Sequence, residues 1–131
     1  MRKGFELTYA TKGRLPRLPF ERMKNAVLGT TYELSVAVVG NARMKALNNT
    51  YRKKKYVTDI LSFELSPRSG EILLNIPAAE KKARENGLNR RDYFGFLFIH
   101  GLLHLKGRHH GSIMEREEKK FCKKFDIEFP F

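Results

Sequence analysis

The stretch YFGFLFIHGLLHL, residues 93–105, is the strongest constraint on how this chain can fold. At helical periodicity its apolar residues fall on nearly every side, and such a helix is stable in water only when other elements surround it. A bilayer span needs about 20 apolar residues, more than this stretch supplies, and two of its residues are histidines. The rest of the chain is therefore expected to pack around one central helix. Asn89, with Asp92 three residues later, signals its start, and Gly107 a stop just beyond Leu105.

The surrounding elements can be read from periodicity. FELTY (residues 5–9) alternates like a half-buried strand, and KGRLPRLP then breaks it with glycine and prolines. A short helix is expected over residues 19–28, followed by YELSVAVVG (residues 32–40), whose β-branched and apolar residues read as a well-buried strand. Asn41 is placed to cap a helix in which Met44, Leu47 and Tyr51 share a face. VTDILSFEL and GEILLNI, joined by the turn-rich SPRSG, read as an antiparallel pair. Pro77 opens a further helix that stops at Asn86 and Gly87. The last helix is expected from Ser112, with Glu115 completing a capping box, Glu117 and Glu118 early and Lys119, Lys120, Lys123 and Lys124 late, as the helix dipole favours. Four strands and five helices in this order predict an α+β (mixed α/β) layer structure, a single domain over residues 1–131.

Charge narrows the partner. The 26 Lys and Arg against 14 Asp and Glu leave a formal charge of +12, a surface field that favours polyanions, nucleic acid foremost. With 41% hydrophobic residues the chain is still a globular folder rather than a disordered polycation. The lone Cys122 is expected as small core filler. No apolar segment follows the early charges of the first residues, so neither a secretory leader nor a membrane span is expected, and the compartment is read as reducing and cytoplasmic.

All four histidines lie within residues 100–110. His100 and His104, four apart on the central helix, share a face. Gly107 can turn the chain back and bring His110 to the same point, giving H-x-x-x-H-x-x-G-x-x-H. Three nitrogen donors leave a fourth position open, as in a catalytic zinc site, and nickel or copper would suit the same ligands. His109 is an alternative third ligand, but the glycine spacing favours His110. A glutamate after the first histidine would make the pattern a metalloprotease signature. Here that position is Gly101, so the proteolytic base is missing and the glycine reads as a close packing contact. Upstream, the cations of residues 52–55 precede a strand, with Arg52 suited to bidentate phosphate binding. Asp59, Glu64 and Glu71 lie on the nearby strands and are read as ordinary surface or turn groups.

The run His100-Gly101-Leu102-Leu103-His104-Leu105-Lys106-Gly107-Arg108-His109-His110, together with YRKKKYVTDILSF before it and the strand start GEI, resembles the YbeY family. The resemblance implies a small mixed four-stranded sheet with about five helices packed around it, and a metal site on the central helix and the following loop. It implies His100, His104 and His110 as ligands of one zinc ion, with His100 and Arg52 as catalytic residues. The implied activity is a single-strand-specific, metal-dependent endoribonuclease acting at the 3′ end of small-subunit ribosomal RNA and in ribosome quality control. Its implied partners are ribosomal RNA, the ribosomal subunit and maturation proteins. The chain departs from the family pattern at His109, in place of an aspartate, at Lys55, and at Val57, in place of a proline expected to stiffen the loop. The connector after His110 is also shorter. Two other readings are an RNA- or ribosome-binding module whose metal only stabilises the fold, and a zinc metalloprotease.

Overall fold

The computed structural model describes residues 4–130. The first charges, Arg2 and Lys3, on which the absence of a leader was partly read, lie outside them. The elements are β1 (Phe5–Tyr9), α1 (Phe20–Leu28), β2 (Glu33–Val38), α2 (Asn41–Arg52), β3 (Ile60–Ser66), β4 (Ser69–Leu74), α3 (Ile76–Glu85), α4 (Arg90–Leu105) and α5 (Ser112–Lys124).

The strands form one mixed sheet in the order β1-β2-β4-β3. β1 and β4 flank β2 in parallel, with Leu7 opposite Val36 and Val36 opposite Ile72, while β3 runs antiparallel to β4 on the edge. Parallel neighbours need crossovers, supplied by α1 and by α2 with β3. The antiparallel pair needs only the short turn at Pro67 and Arg68, where the Ser66 and Ser69 hydroxyls lie 2.7 Å apart.

Alternation along the strands divides the interior into two layers. Leu34, Val36 and Val38 of β2 and Ile72 and Leu74 of β4 join the main core with α1, α4 and α5. Leu61 and Leu73 point the other way and meet Val39 and Met44, with Leu47 and Phe63 packed at the margin. At the centre of the main core lies α4, in which Phe94, Phe98, Ile99, Leu102 and Leu103 are fully buried. This is the position its all-round apolar surface demands.

The helix approaches the sheet closely at Gly101. A Cβ there would stand 2.6 Å from Ile60 Cδ1, 3.1 Å from Ser62 Oγ and 3.3 Å from Ile72 Cδ1. Only glycine permits that approach, and the Ser62 hydroxyl donates to the Gly101 carbonyl at 3.4 Å. Cys122 is buried in α5, and desolvation, followed by the charges of Glu118 and Asp92, pushes its thiol up to about 12, so it packs as an apolar side chain. No helix among the described residues is long and apolar enough to cross a membrane.

Two caps differ from expectation. Gly40, not Asn41, is the N-cap of α2, because the Asn41 amide oxygen accepts a bond of 2.9 Å from the Asn75 amide. Likewise α5 is capped by Gly111 at φ 149°, so Ser112 is already helical and no capping box forms; Glu115 instead pairs with Lys119 at 3.9 Å. The Asn89 cap of α4 forms as read, accepting from the Asp92 backbone N–H.

Asn75 joins the sheet to α3. Fully buried, it caps α3 through Ala78 N–H at 2.9 Å and donates to the Val39 carbonyl at 3.1 Å. Loss of a cap together with a buried carbonyl left unsatisfied predicts that Asn75→Ala lowers unfolding stability by about 2–4 kcal/mol. Asn75→Asp, which keeps the acceptor but loses the donor, should fall between Ala and the native protein in urea denaturation.

Candidate metal centre and groove

In the last two turns of α4 one face, with Phe98, Ile99, Leu102 and Leu103, stays in the core, while the other presents the partly exposed His100 and His104. Gly107, at φ 97°, ends the helix in the left-handed region, with Gly107 N–H bonded to the His104 carbonyl and Arg108 N–H to that of Leu103. The chain reverses and carries His110 back over the helix end. The His110 ring centroid lies 5.6 Å from that of His100 and 5.5 Å from that of His104.

One nitrogen from each of the three rings lies within 4.8 Å of the others, so the group could hold a metal. His100 Nε2 and His104 Nε2 face each other at 3.0 Å. A tetrahedral ion with bonds of about 2.0–2.1 Å would hold two imidazole nitrogens about 3.3 Å apart, so the pair is close to the separation such an ion needs. His100 Nδ1–H donates to Glu118 Oε2 at 2.6 Å, which leaves its Nε2 as a bare lone pair. Burial, then the neighbouring His100 and His110, hold His104 below the usual histidine pKa, against a backbone bond at Arg108 and the Glu118 charge. A lowered pKa keeps the ring neutral and able to donate its lone pair. Neutral rings with their Nε2 atoms turned to one another can give both lone pairs to a cation, and the donor set fits one.

By position alone Glu117 and Glu118 are complements to the α5 dipole. In the fold they clamp the site from α5. Glu118 is 7% exposed and holds His100, while Glu117 pairs with Arg108 and, at 3.7 Å, with Lys106, tying down the turn that carries His110. The Arg108 bond is also the main reason why the Glu117 carboxyl lies below its usual pKa. A signal for Glu118 was present. Met114, Glu118, Phe121 and Cys122 form the buried stripe of α5, and a carboxylate within such a stripe needs a partner. His109 is exposed and outside the histidine group, which leaves His110 as the third member.

The site opens into a groove of about 1510 Å³ that also receives Arg52, Tyr56, Asp59, Phe63 and Glu64. Arg52 ends α2, and among the described residues its guanidinium has no ion-pair partner. The loop after it is tied to α2 and to the smaller core. The fully buried Asn48 side chain donates to the Tyr56 carbonyl at 2.9 Å, the Asn48 backbone carbonyl accepts from Lys54 N–H at 3.3 Å, and Val57 packs on the smaller core. Asp59 is engaged as well, accepting from the Tyr93 hydroxyl at 2.8 Å, and burial followed by this carboxylate raises the Tyr93 pKa. Asp59 stands just before β3 rather than on it, and it and Glu64 line the groove while Glu71 of β4 does not.

A family model described as Endoribonuclease YbeY matches residues 17–126. An Endoribonuclease YbeY from Geobacillus kaustophilus is 38% identical over 110 residues, which span 72% of this chain and 70% of the relative. One from Albidiferax ferrireducens is 28% identical across 92% of this chain and 86% of its own length. Among solved structures, the solution structure of TM1509 from Thermotoga maritima superposes with a TM-score of 0.67 at 23% identity, covering 92% of this chain and 88% of that one. That likeness supports the mixed sheet and its helices.

The clamp predicts a measurable coupling. Glu118→Gln should weaken zinc binding about 10- to 100-fold, measured by competition with a chromophoric chelator. His110→Ala should weaken it at least as much, whereas His109→Ala should leave it within about twofold of the native value.

Proposed function

Because the chain belongs to the Endoribonuclease YbeY family, we propose that His100, His104, His110 and Arg52 form the active site of a metal-dependent endoribonuclease acting in ribosomal RNA maturation. The observation that carries this reading is the convergence of three histidine nitrogens in a groove also lined by Arg52, which has no ion-pair partner among the described residues.

We assign the ion as zinc, which all-nitrogen ligation favours. When bound, it supplies Lewis acidity to a phosphodiester at neutral pH. The chain's own residues do the rest. Glu118 keeps the proton of His100 on Nδ1 and so fixes the tautomer that can ligate. Burial keeps His104 neutral. Arg52 binds two phosphate oxygens with its planar fork and offsets the charge that grows on them in the transition state.

Single-stranded RNA at the 3′ end of small-subunit ribosomal RNA is the proposed substrate, with the subunit and its maturation proteins as partners. A formal charge of +12 supports a polyanionic substrate. The reduced, buried Cys122 is in keeping with a cytoplasmic setting, and residues 1–131 are read as one domain. Two alternatives are disfavoured. A peptidase base cannot stand at position 101, where even a Cβ would crowd Ile60 and Ser62. A purely structural ion is opposed by the extent of the apolar core, whose members include none of the three histidines.

The test is cleavage of structured ribosomal RNA by the purified protein. Chelation or His104→Ala should abolish cleavage while far-ultraviolet circular dichroism stays native. Arg52→Ala should slow it about 100-fold or more while zinc stoichiometry is retained. Cleavage that persists in His104→Ala, or unfolding on metal removal, would overturn the assignment.

A further inference from the structure

Beside the histidines the groove carries two aromatic rings that metal binding does not use. Tyr51 is 63% exposed and Tyr56 52%, two of the four large hydrophobic side chains left exposed among the described residues. Both line the groove that contains Arg52 and the three histidines.

Neither ring is there by looseness. Tyr51 packs edge-on against Phe63, with ring centroids 5.0 Å apart and planes at 63°, so one side of the ring is supported. Tyr56 is fixed through its backbone by buried Asn48. The two rings bracket the cations Arg52, Lys53, Lys54 and Lys55, and Lys53 adopts the left-handed conformation that ends α2. Lys81 and Lys82 of α3 line the same groove. Exposed aromatic faces alternating with cations suit a polymer that alternates flat bases with phosphates.

We propose that Tyr51 and Tyr56 form a base-stacking platform that holds a single-stranded RNA segment in the groove, its phosphates on the bracketed cations and on Lys81 and Lys82. This inference rests on the endoribonuclease reading and adds to it the residues that select the strand. A duplex keeps its base faces stacked inside and cannot offer them to the rings, whereas an unpaired segment of any sequence can. Charge alone would hold both forms. Selection for single strands then follows from the two tyrosines, and selection among sequences does not.

The test uses metal-free protein, so that binding is read without cleavage. Fluorescence anisotropy would compare a labelled oligoadenosine, an abasic ribose-phosphate oligomer of the same length and an RNA hairpin at physiological ionic strength. Tyr51→Ala and Tyr56→Ala should each weaken oligoadenosine binding about 5- to 100-fold. Binding of the abasic oligomer should be unchanged, and Tyr51→Phe and Tyr56→Phe should keep native affinity. The chain has no tryptophan, so Tyr51→Trp places a single indole in the groove. Its emission should be quenched by oligoadenosine and not by the abasic oligomer.

Native affinity in both alanine variants, or equal binding of abasic and base-bearing oligomers by the native protein, would overturn the platform. If the metal-loaded native protein cleaves no RNA, the endoribonuclease reading itself fails, whatever the oligomers show. Cleavage with unaffected binding in the alanine variants removes only the platform.

Discussion

Burial of α4 is the constraint on which the rest of the structure depends. Each fully buried Phe, Ile or Leu contributes about 1.5–3 kcal/mol relative to exposure, and five such side chains lie on this helix. That drive places α4 against the sheet, and the glycine at position 101 sets how close it comes. The histidines follow from the same placement. They occupy the partly exposed face of the last turns of a helix whose other face is held in the core along its length, so the site is anchored to the core without lying inside it. A metal centre built on a loop would have no such anchor.

The two ends of the site are held by different means. His100 is fixed by a buried carboxylate from α5, and the turn carrying His110 by ion pairs from the adjacent Glu117. Neighbouring residues of one helix thus act on both sides of the helix end they face. The groove wall opposite depends on Asn48 and Asn75, two buried amides that fasten the loop after α2 and the start of α3. Function here is carried at element boundaries, and each boundary is secured by a polar side chain taken out of solvent and given partners.

Where local signals failed, a tertiary demand had prevailed. Asn41 and Ser112 have the chemistry of N-caps, yet each stands one position inside its helix. The Asn41 amide is taken by Asn75, which needs a partner because it is fully buried. Gly111 occupies the boundary of α5 at a positive φ that follows the reversal beyond Gly107. Tyr51 shares a helical period with Met44 and Leu47, but it stands at the end of α2, where its ring meets Phe63 at the margin of the smaller core and stays largely exposed.

Local periodicity by itself determined the elements, the central place of α4, the antiparallel β3–β4 pair, the shared face of His100 and His104, and the reversal at Gly107 that returns His110. These depend on residues a few positions apart, whose relative placement the helix and the turn dictate. Only the tertiary structure decided that Glu118 meets His100, that Arg52 and the two tyrosines line one groove with the histidines, and that Asn48 fastens the loop after α2. Those contacts join segments brought together by the crossovers of a parallel sheet, and no local spacing encodes which faces such crossovers bring into register.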